Sequence, residues 1–514
     1  MKKYIVIIIL FFFAAQSNLH AQKFDVQEGT IQKTKSEPLK IIGLYQGNLI
    51  SISKRNEDLY LVKYDKETLK PKQYVNLPLS FKEKKVDFID VIKINNRYLL
   101  ITRFNNKKKN ESYYLSQEID MESLKVQGKP ELWSTCYFPE SYEQNGFFVV
   151  QQSTNRSETI IINSLNNTPK NNGQFQLRIY AQDSLPYFQK NISIAHNLLL
   201  FDLIDVAADT MGIVYLLGKK YFKAHQDVLN GEINYKYIIY RYDTNNEKLS
   251  EIPFKHKERI IIQMQMALNK GKIICSGISF DYSNKHRVNA ETYLFDSTGH
   301  YLMLKSQRNI NVYKPSGALL KENSNTIPTF VSQKLIPQPK DRLMFIAEQR
   351  NITSVYSIPV QYTILYLQSI AILIDSNGII EENFEVNKQQ NMKGKKYTFA
   401  SMDEYYDPIY GGSFSHIFFT ANNHFYLAYN EYSKNITKKA HRFYQGEEDK
   451  VYPLICLLEQ GEANKCYLLN SEENDPNLKL YTNAYYYAEN KLYVIAKKEG
   501  GQLVLKITFR GGKD

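Results

Sequence analysis

The chain repeats one pattern of apolar and polar positions: a short apolar segment, a polar turn of a few residues, and a second apolar segment. Turn dipeptides such as Asn145-Gly146 tolerate the positive φ angles that tight β-hairpins need. The pattern therefore predicts a series of β-hairpins, and its recurrence indicates an internal repeat. Eight copies are found, at residues 43–52, 90–101, 143–150, 205–217, 266–275, 335–346, 418–428 and 485–495.

A second unit follows most of these copies. An apolar strand ends in an acidic residue, which a polar turn and another strand follow. An aspartate that enters a turn can accept the backbone N–H two residues later, which predicts a structural role for these acids. A ring of metal-binding carboxylates is the alternative. The acids are Asp65, Asp120, Asp183, Asp243, Asp296 and Asp375, with Glu459 at the same place in a later unit.

Two hairpins in series form a four-stranded antiparallel sheet, and repetition of such a sheet is typical of a β-propeller. We therefore predict an all-β fold, a single β-propeller of eight four-stranded antiparallel blades. Seven blades are the alternative, because the copy at 143–150 is weakly patterned. The last copy lacks a fourth strand, so we expect a strand within residues 22–36 to close the ring and cover its open edge. A loop insertion between blades is expected at 389–411.

The chain resembles β-propeller repeat proteins in general over nearly all of its length after the N-terminal segment. No blade signature of a particular family is present. There is no Trp-Asp dipeptide, and Trp133 is the only tryptophan, so a tryptophan-bearing blade motif cannot recur. The resemblance therefore implies a fold and carries no catalytic residue with it.

Residues 1–21 have the pattern of a secretory signal peptide. Lys2 and Lys3 precede an apolar run at 4–15, and the small residue Ala21 marks the expected cleavage site. The run is shorter than the ~20 residues that a membrane span needs, although a retained anchor is the alternative. We therefore expect a β-propeller domain at 22–514, exported in a bacterial cell, periplasmic or associated with the outer membrane, with release from the cell as the alternative. No later transmembrane segment is expected.

The chain has four cysteines, and an exported protein meets an oxidising compartment. Cys456 and Cys466 lie symmetrically about Gly461, so that a hairpin would place them opposite each other. We predict a disulfide between them, with two small buried side chains as the alternative. Cys136 and Cys275 are far apart in the sequence and are expected to be unpaired.

The composition adds little about chemistry. Lys and Arg number 65 against 53 Asp and Glu, a formal net charge of +12, and 40 Tyr with 27 Phe favour strands. The lysines occur in short runs at 107–109, 393–396, 438–439 and 497–498, which are expected to be solvated loop residues. A basic rim that binds an anionic partner is the alternative. Export makes nucleic acid the least favoured partner.

One loop concentrates aromatic and acidic residues between two predicted blades. Tyrosine rings stack on the C–H faces of sugars and carboxylates accept hydrogen bonds from sugar hydroxyls, so this loop is a candidate glycan site. A lid that packs on a neighbouring blade is the structural alternative, and two carboxylates could also perform glycosidase chemistry. The candidate ligand-binding residues are Asp403, Glu404, Tyr405, Tyr406, Asp407 and Tyr410.

Other candidate sites are weaker. Ser413 and His416 could form a nucleophile pair, and His416 with His424 could bind a metal, but ordinary strand and turn residues explain them as well. The segment 243–247 lacks the glycine and the distal glutamate of a calcium loop. Nucleotide-binding, zinc-protease and serine-hydrolase motifs are absent.

These patterns predict a non-enzymatic envelope β-propeller that binds a protein or glycan through its rim or channel mouth, with no cofactor and no metal. A polysaccharide-acting hydrolase or lyase is one alternative, and a structural subunit of an envelope assembly is the other. The enzyme alternative predicts strongly shifted carboxylate or histidine pKa values at the channel face. The assembly alternative predicts a broad apolar patch.

Overall fold

The computed structural model describes most of the chain from Phe24 to Arg510. The described ranges are 24–34, 36–56, 58–81, 84–94, 97–106, 108–137, 148–152, 158–165, 173–181, 186–209, 211–224, 227–229, 232–255, 259–281, 288–295, 301–311, 329–332, 335–355, 361–395, 416–432, 451–459, 462–469 and 478–510. The predicted signal peptide lies outside them. Within them, no helix has the length and apolar character needed to cross a bilayer.

The first half of the described chain forms four sheets. Strand β1 (Phe24–Glu28) comes first, and the first sheet contains β2 (Glu37–Tyr45), β3 (Asn48–Arg55), β4 (Asp58–Asp65) and β5 (Pro71–Leu77). After the short pair β6 (Ser80–Phe81) and β7 (Lys84–Lys85), the second contains β8 (Asp87–Ile94), β9 (Arg97–Asn106), β10 (Glu111–Asp120) and β11 (Lys125–Tyr137). The third contains β12 (Phe148–Gln152), β13 (Glu158–Ser164), β14 (Gln174–Ala181) and β15 (Pro186–Ser193). A 3₁₀ turn at Leu198–Leu200 leads to the fourth, which contains β16 (Phe201–Ala208), β17 (Ile213–Tyr221), β20 (Tyr235–Asp243) and β21 (Lys248–Lys255). Between β17 and β20 the chain forms a separate two-stranded sheet of β18 (Val228–Leu229) and β19 (Glu232–Ile233).

The second half repeats the arrangement. The fifth sheet contains β22 (Arg259–Asn269), β23 (Lys272–Asp281), β24 (Val288–Phe295) and β25 (Leu302–Asn309). In the sixth, β26 (Thr329–Ser332) and β27 (Ile336–Gln338) both pair with β28 (Arg342–Val355), which a 3₁₀ turn at Pro339–Asp341 precedes and β29 (Gln361–Ile374) and β30 (Ile380–Lys395) follow. The seventh contains β31 (Ile417–Ala421), β32 (His424–Tyr432), β33 (Val451–Glu459) and β34 (Glu462–Leu468). The last contains β35 (Lys479–Ala488), β36 (Lys491–Lys498) and β37 (Gly501–Phe509).

Sequential antiparallel pairing within each sheet is the pattern of a propeller blade. Two parallel contacts, β21 with β25 and β30 with β34, join neighbouring sheets at their outer edges. The central strands are buried on both faces, as in β17, whereas outer strands such as β5 alternate buried or half-buried with exposed positions. The predicted all-β propeller is confirmed. The number of blades in the whole chain stays a prediction, because the described residues do not include every segment.

The ring is held together by apolar side chains that pack between consecutive sheets. Each main cluster of buried residues contains side chains from two neighbouring sheets, in the order of the chain. One cluster joins the last sheet to the first, through Tyr493 and Val504 packed with Ile41 and Leu49. The stack of sheets therefore returns to its beginning, as a closed propeller requires.

The N-terminal strand completes the last sheet. Strand β1 pairs antiparallel with β37, with Phe24 opposite Phe509 and Glu28 opposite Leu505. The Phe24 side chain is fully buried, and its ring centroid lies 5.8 Å from that of Phe509. Further along, Gln32 exchanges backbone hydrogen bonds with Gln502 at 2.7 and 2.8 Å. The predicted closing strand is confirmed, since the start and the end of the chain share one sheet.

The predicted loop insertion at 389–411 begins too early. Strand β30 continues through Lys395, and its last residues pair with the start of β29, with Lys395 opposite Gln361. The backbone ladder between the two strands continues through this segment, with Asn391 opposite Leu365. Residues 396–411 lie outside the described part of the chain.

Cys456 and Cys466 form a disulfide with an S–S distance of 2.01 Å. They face each other across β33 and β34, as the symmetry about the turn implies. Cys136 and Cys275 are buried with free thiols. Burial raises the pKa of the Cys136 thiol, whose Sγ donates a hydrogen bond to the Ser164 carbonyl at 3.0 Å.

Four of the repeated acids have the predicted structural role. The side chains of Asp65, Asp120, Asp243 and Asp375 each accept a backbone N–H from two residues further along. Asp243 thus forms a turn with Asn245 rather than a calcium loop. Asp183 and Asp296 lie outside the described residues.

Candidate functional site

The centre of the propeller holds a cavity of about 470 Å³. Its walls come from the innermost strand of each of the first six sheets: β2, β8, β12, β16, β22 and β27. Five of these strands, β2, β8, β12, β16 and β22, are edge strands of their sheets. Each pairs with a single neighbouring strand, which lies on its outer side. Their other backbone edge therefore faces the channel, and alternate N–H and C=O groups along it point into the cavity.

Four of these inner strands carry an equivalent β-bulge. In β2, β8, β16 and β22 one extra residue interrupts the register, and the pairing resumes at a polar side chain. A bulge bends a strand and re-aims the side chain beside it. In each strand, the residue at which the pairing resumes lies opposite an aliphatic residue of the second strand of its sheet. These polar residues are Lys40, Asp90, Asp205 and Gln263.

These bulge residues connect neighbouring inner strands. Lys40 Nζ contacts both carboxylate oxygens of Asp90 on the next sheet, at 2.7 and 3.0 Å. Asp205 is buried and accepts the N–H of Met266 on the next sheet at 2.9 Å. Gln263 Oε1 accepts a hydrogen bond from Ser332 Oγ at 3.3 Å. Hydrogen bonds and an ion pair made by side chains thus join the inner strands of neighbouring sheets, where no backbone pairing connects them.

Lys93 is the remaining cation of the cavity wall. It is exposed on β8, and its ammonium lies 5.7 Å from the centroid of the Tyr98 ring. No carboxylate pairs with Lys93 among the described residues, whereas Asp90 neutralises Lys40. Among the described residues, the cavity wall therefore carries the unneutralised charge of Lys93 beside aliphatic residues such as Ile92, Ile336 and Pro337.

These channel residues were not among the candidate site residues predicted from the sequence. A signal was present, because two hairpin copies begin with the same dipeptide, Asp90-Val91 and Asp205-Val206. In both pairs the aspartate Oδ1 accepts the N–H of the following valine, at 2.7 and 2.8 Å. An aspartate at the first position of a hairpin copy was the clue to the bulge.

The glycan-site residues Asp403, Glu404, Tyr405, Tyr406, Asp407 and Tyr410 lie outside the described part of the chain, so this site stays a prediction. Ser413, the suggested partner of His416, lies outside it as well. His416 and His424 are described, and they occupy opposite ends of the β31–β32 hairpin. The half-buried His424 lies 3.2 Å from Glu459. The two histidines therefore do not form a metal pair.

His416 belongs instead to a buried cluster of charges between the sixth and seventh sheets. Glu348 accepts hydrogen bonds from Lys388 and, at 2.8 Å, from Arg350 Nε. His416 Nδ1 lies 2.9 Å from Ser369 Oγ and 3.5 Å from Glu348 Oε1. All four charged or titratable side chains are almost fully buried. The cluster is a structural element sealed between sheets, away from the cavity wall.

Burial and charge shift the pKa values of this cluster in opposite directions. Burial by itself would raise the pKa of Glu348, but the charges of Lys388 and Arg350 hold that pKa well below its ordinary value. Burial lowers the pKa of Lys388 and of His416, and Glu348 opposes both changes. Among the described residues, no group of three or more His, Cys, Asp or Glu side chains could hold a metal ion.

No protein-family model matches the chain, and no curated protein sequence matches it. A catalytically inactive virginiamycin B lyase from Staphylococcus aureus, crystallised with quinupristin, is 8% identical with a TM-score of 0.32, over 94% of this chain and 99% of that one. The β-propeller domain of the Trilobed protease from Pyrococcus furiosus is 8% identical with a TM-score of 0.32, over 82% and 93%. A thermostable family-43 glycoside hydrolase is 12% identical with a TM-score of 0.28, over 55% and 90%. No residue or activity transfers across such distances.

Proposed function

We propose that the chain is an exported, non-enzymatic binding protein of the bacterial cell envelope, and that it takes a segment of a protein partner into the central cavity. One observation carries the proposal: a cavity of about 470 Å³ is surrounded by the inner strands of six sheets. A peptide in an extended conformation can form main-chain hydrogen bonds with such strand edges and place alternate side chains in apolar pockets.

The character of the wall favours a peptide over a glycan. Sugar sites use aromatic faces for stacking, and none of the described residues around the cavity is aromatic. Most of the described residues that line the cavity are aliphatic, as Ile92, Ala267 and Ile336 illustrate. A binding function is favoured over catalysis because the cavity acids are already engaged: Lys40 holds Asp90, and Asp205 accepts backbone N–H groups.

The predicted partner can be tested with a variant that fills the cavity. Ala267 is half-buried on β22 and lines the cavity, so Ala267→Phe should occupy the space that the ligand needs. We expect a random-peptide library to yield binders to the full mature chain, and Ala267→Phe to weaken their binding at least tenfold. The matched control is Leu132→Phe, at an exposed position on the outer strand β11, which should bind normally.

Circular dichroism and thermal melting would establish that both variants fold. A glycan array run in parallel separates the two ligand classes. Glycan binding without peptide binding would contradict the proposed partner, and so would peptide binding that Ala267→Phe leaves unchanged.

Export is proposed on two grounds: the signal-peptide pattern at 1–21 and the Cys456–Cys466 disulfide, which is typical of oxidising compartments. We expect the protein from fractionated cells to begin at Gln22 and to occur in the periplasmic or outer-membrane fraction. N-terminal sequencing and non-reducing peptide mapping would check both features. An intact Met1, or free thiols at both cysteines, would argue against export.

A further inference from the structure

We infer that the cavity recognises a peptide by a carboxylate that binds Lys93, with neighbouring apolar side chains of the peptide packed on the aliphatic wall. This inference rests on the proposed function and adds the chemical class of the ligand. It follows from the charge distribution around the cavity and from the way in which Lys93 is held there.

Lys93 and Lys40 both line the cavity, but they differ in their partners. The Lys40 ammonium contacts both oxygens of Asp90, so this pair has no net charge to offer a ligand. Lys93 has no such carboxylate in the described part of the chain. At the edge of the second sheet, a ligand therefore meets the positive charge of Lys93, which no carboxylate of the described residues neutralises.

Tyr98 fixes the position of that charge without neutralising it. Its ring is buried with 7% of its surface exposed, and it packs edge-on against Tyr45 at 6.4 Å. The Lys93 ammonium, 5.7 Å from the Tyr98 centroid, is held by a cation–π contact. A ring cannot accept the three N–H bonds that an ammonium can donate, so these donors remain available to an anionic ligand.

A single ammonium suits a carboxylate better than a phosphate. Phosphate sites generally combine several cations, or a planar guanidinium, with backbone N–H groups. Here the Lys93 ammonium stands beside aliphatic residues of β8, β22 and β27, including Ile92, Ala267 and Pro337. A carboxylate adjacent to apolar side chains matches this arrangement, and either a peptide C-terminus or an aspartate or glutamate side chain supplies it.

The test uses the full mature chain and a random heptapeptide library with free C-termini. The strongest binder is synthesised as the free acid, as the C-terminal amide, and with each internal Asp or Glu changed to Asn or Gln, and the Kd of each is measured by fluorescence anisotropy. Removing the recognised carboxylate should weaken binding about tenfold, as expected for one charge-assisted hydrogen bond. The peptide variant that loses affinity identifies the source of the carboxylate.

Lys93→Gln should weaken binding of the free-acid peptide by the same factor. Removing the carboxylate from the peptide should then cause no further loss of affinity for this variant. Lys129→Gln, an exposed lysine on the outer strand β11, is the matched control and should leave Kd unchanged. Added salt should weaken the wild-type complex more than the Lys93→Gln complex.

Two failures can be told apart. If peptides bind the cavity but neutral and acidic peptides bind equally, or Lys93→Gln binds as wild type does, the carboxylate inference is wrong and the proposed function stands. If no peptide binds, both are wrong.

Discussion

Replacing Glu348 with Gln should lower the free energy of unfolding by about 3–5 kcal/mol, the usual cost of removing one member of a buried ion pair. Glu348 lies between the sixth and seventh sheets and accepts hydrogen bonds from both Arg350 and Lys388. Glutamine has nearly the same size, so little packing is lost. The two cations would remain buried without this carboxylate, with Glu431 as the nearby acid that still acts on Lys388.

Urea denaturation monitored by circular dichroism would measure the change. The matched control is Glu118→Gln, which removes the carboxylate of a half-exposed ion pair with Arg97. Such pairs contribute about 0–1 kcal/mol, so the control should be close to wild type. A Glu348→Gln variant as stable as the control would contradict the role assigned to the buried cluster.

The same variant gives a pH dependence with a defined sign. The neighbouring cations hold the folded-state pKa of Glu348 well below its ordinary value of 4.5. Its stabilising contribution is therefore fully present above the unfolded pKa and is lost as the pH falls through the folded pKa. The difference in stability between wild type and Glu348→Gln should be constant near neutral pH and shrink in acid. A difference that grows as the pH falls would contradict this assignment.

The fold was predictable from the sequence because its period is local. A hairpin needs only two apolar segments and a turn, and an aspartate such as Asp65 or Asp375 forms that turn with residues two to four positions away. The closing strand was predictable because the last hairpin copy has only three strands in the sequence, so its open edge needs a partner strand from elsewhere in the chain. The position of the cysteines about Gly461 fixed a cross-strand pair by symmetry.

The channel could not be predicted in the same way, because it depends on contacts between sheets. A bulge changes the face on which a residue lies, and period-two patterns do not reveal one extra residue in a strand. Asp205 therefore looked like an ordinary strand residue, although it reaches Met266 across the channel wall. Glu348 and His416 posed the same difficulty, because they are 68 residues apart in the sequence and meet only when the sixth and seventh sheets pack.

Removal of residues 22–36 from the mature chain should lower the melting temperature strongly and cause self-association. The deletion strips β1 from β37 and exposes a strand edge that can pair with other molecules. It also removes the fully buried Phe24 side chain from the core shared by the last two sheets. Light scattering during a thermal melt, together with size-exclusion chromatography, would record both effects.

Two further measurements make this result specific to ring closure. Phe24→Ala keeps the strand but removes its buried ring, and should cost about 3–5 kcal/mol, as large-to-small core substitutions do. A synthetic peptide of residues 22–36, added to the deletion variant, should raise its melting temperature, because the peptide can re-form the ladder with β37 and return Phe24 to its place beside Phe509. An unchanged melt after the deletion would mean that the ring does not depend on this strand. If the deletion lowers the melting temperature and the added peptide does not restore it, residues 22–36 would be needed during folding of the ring rather than for the stability of the folded sheet.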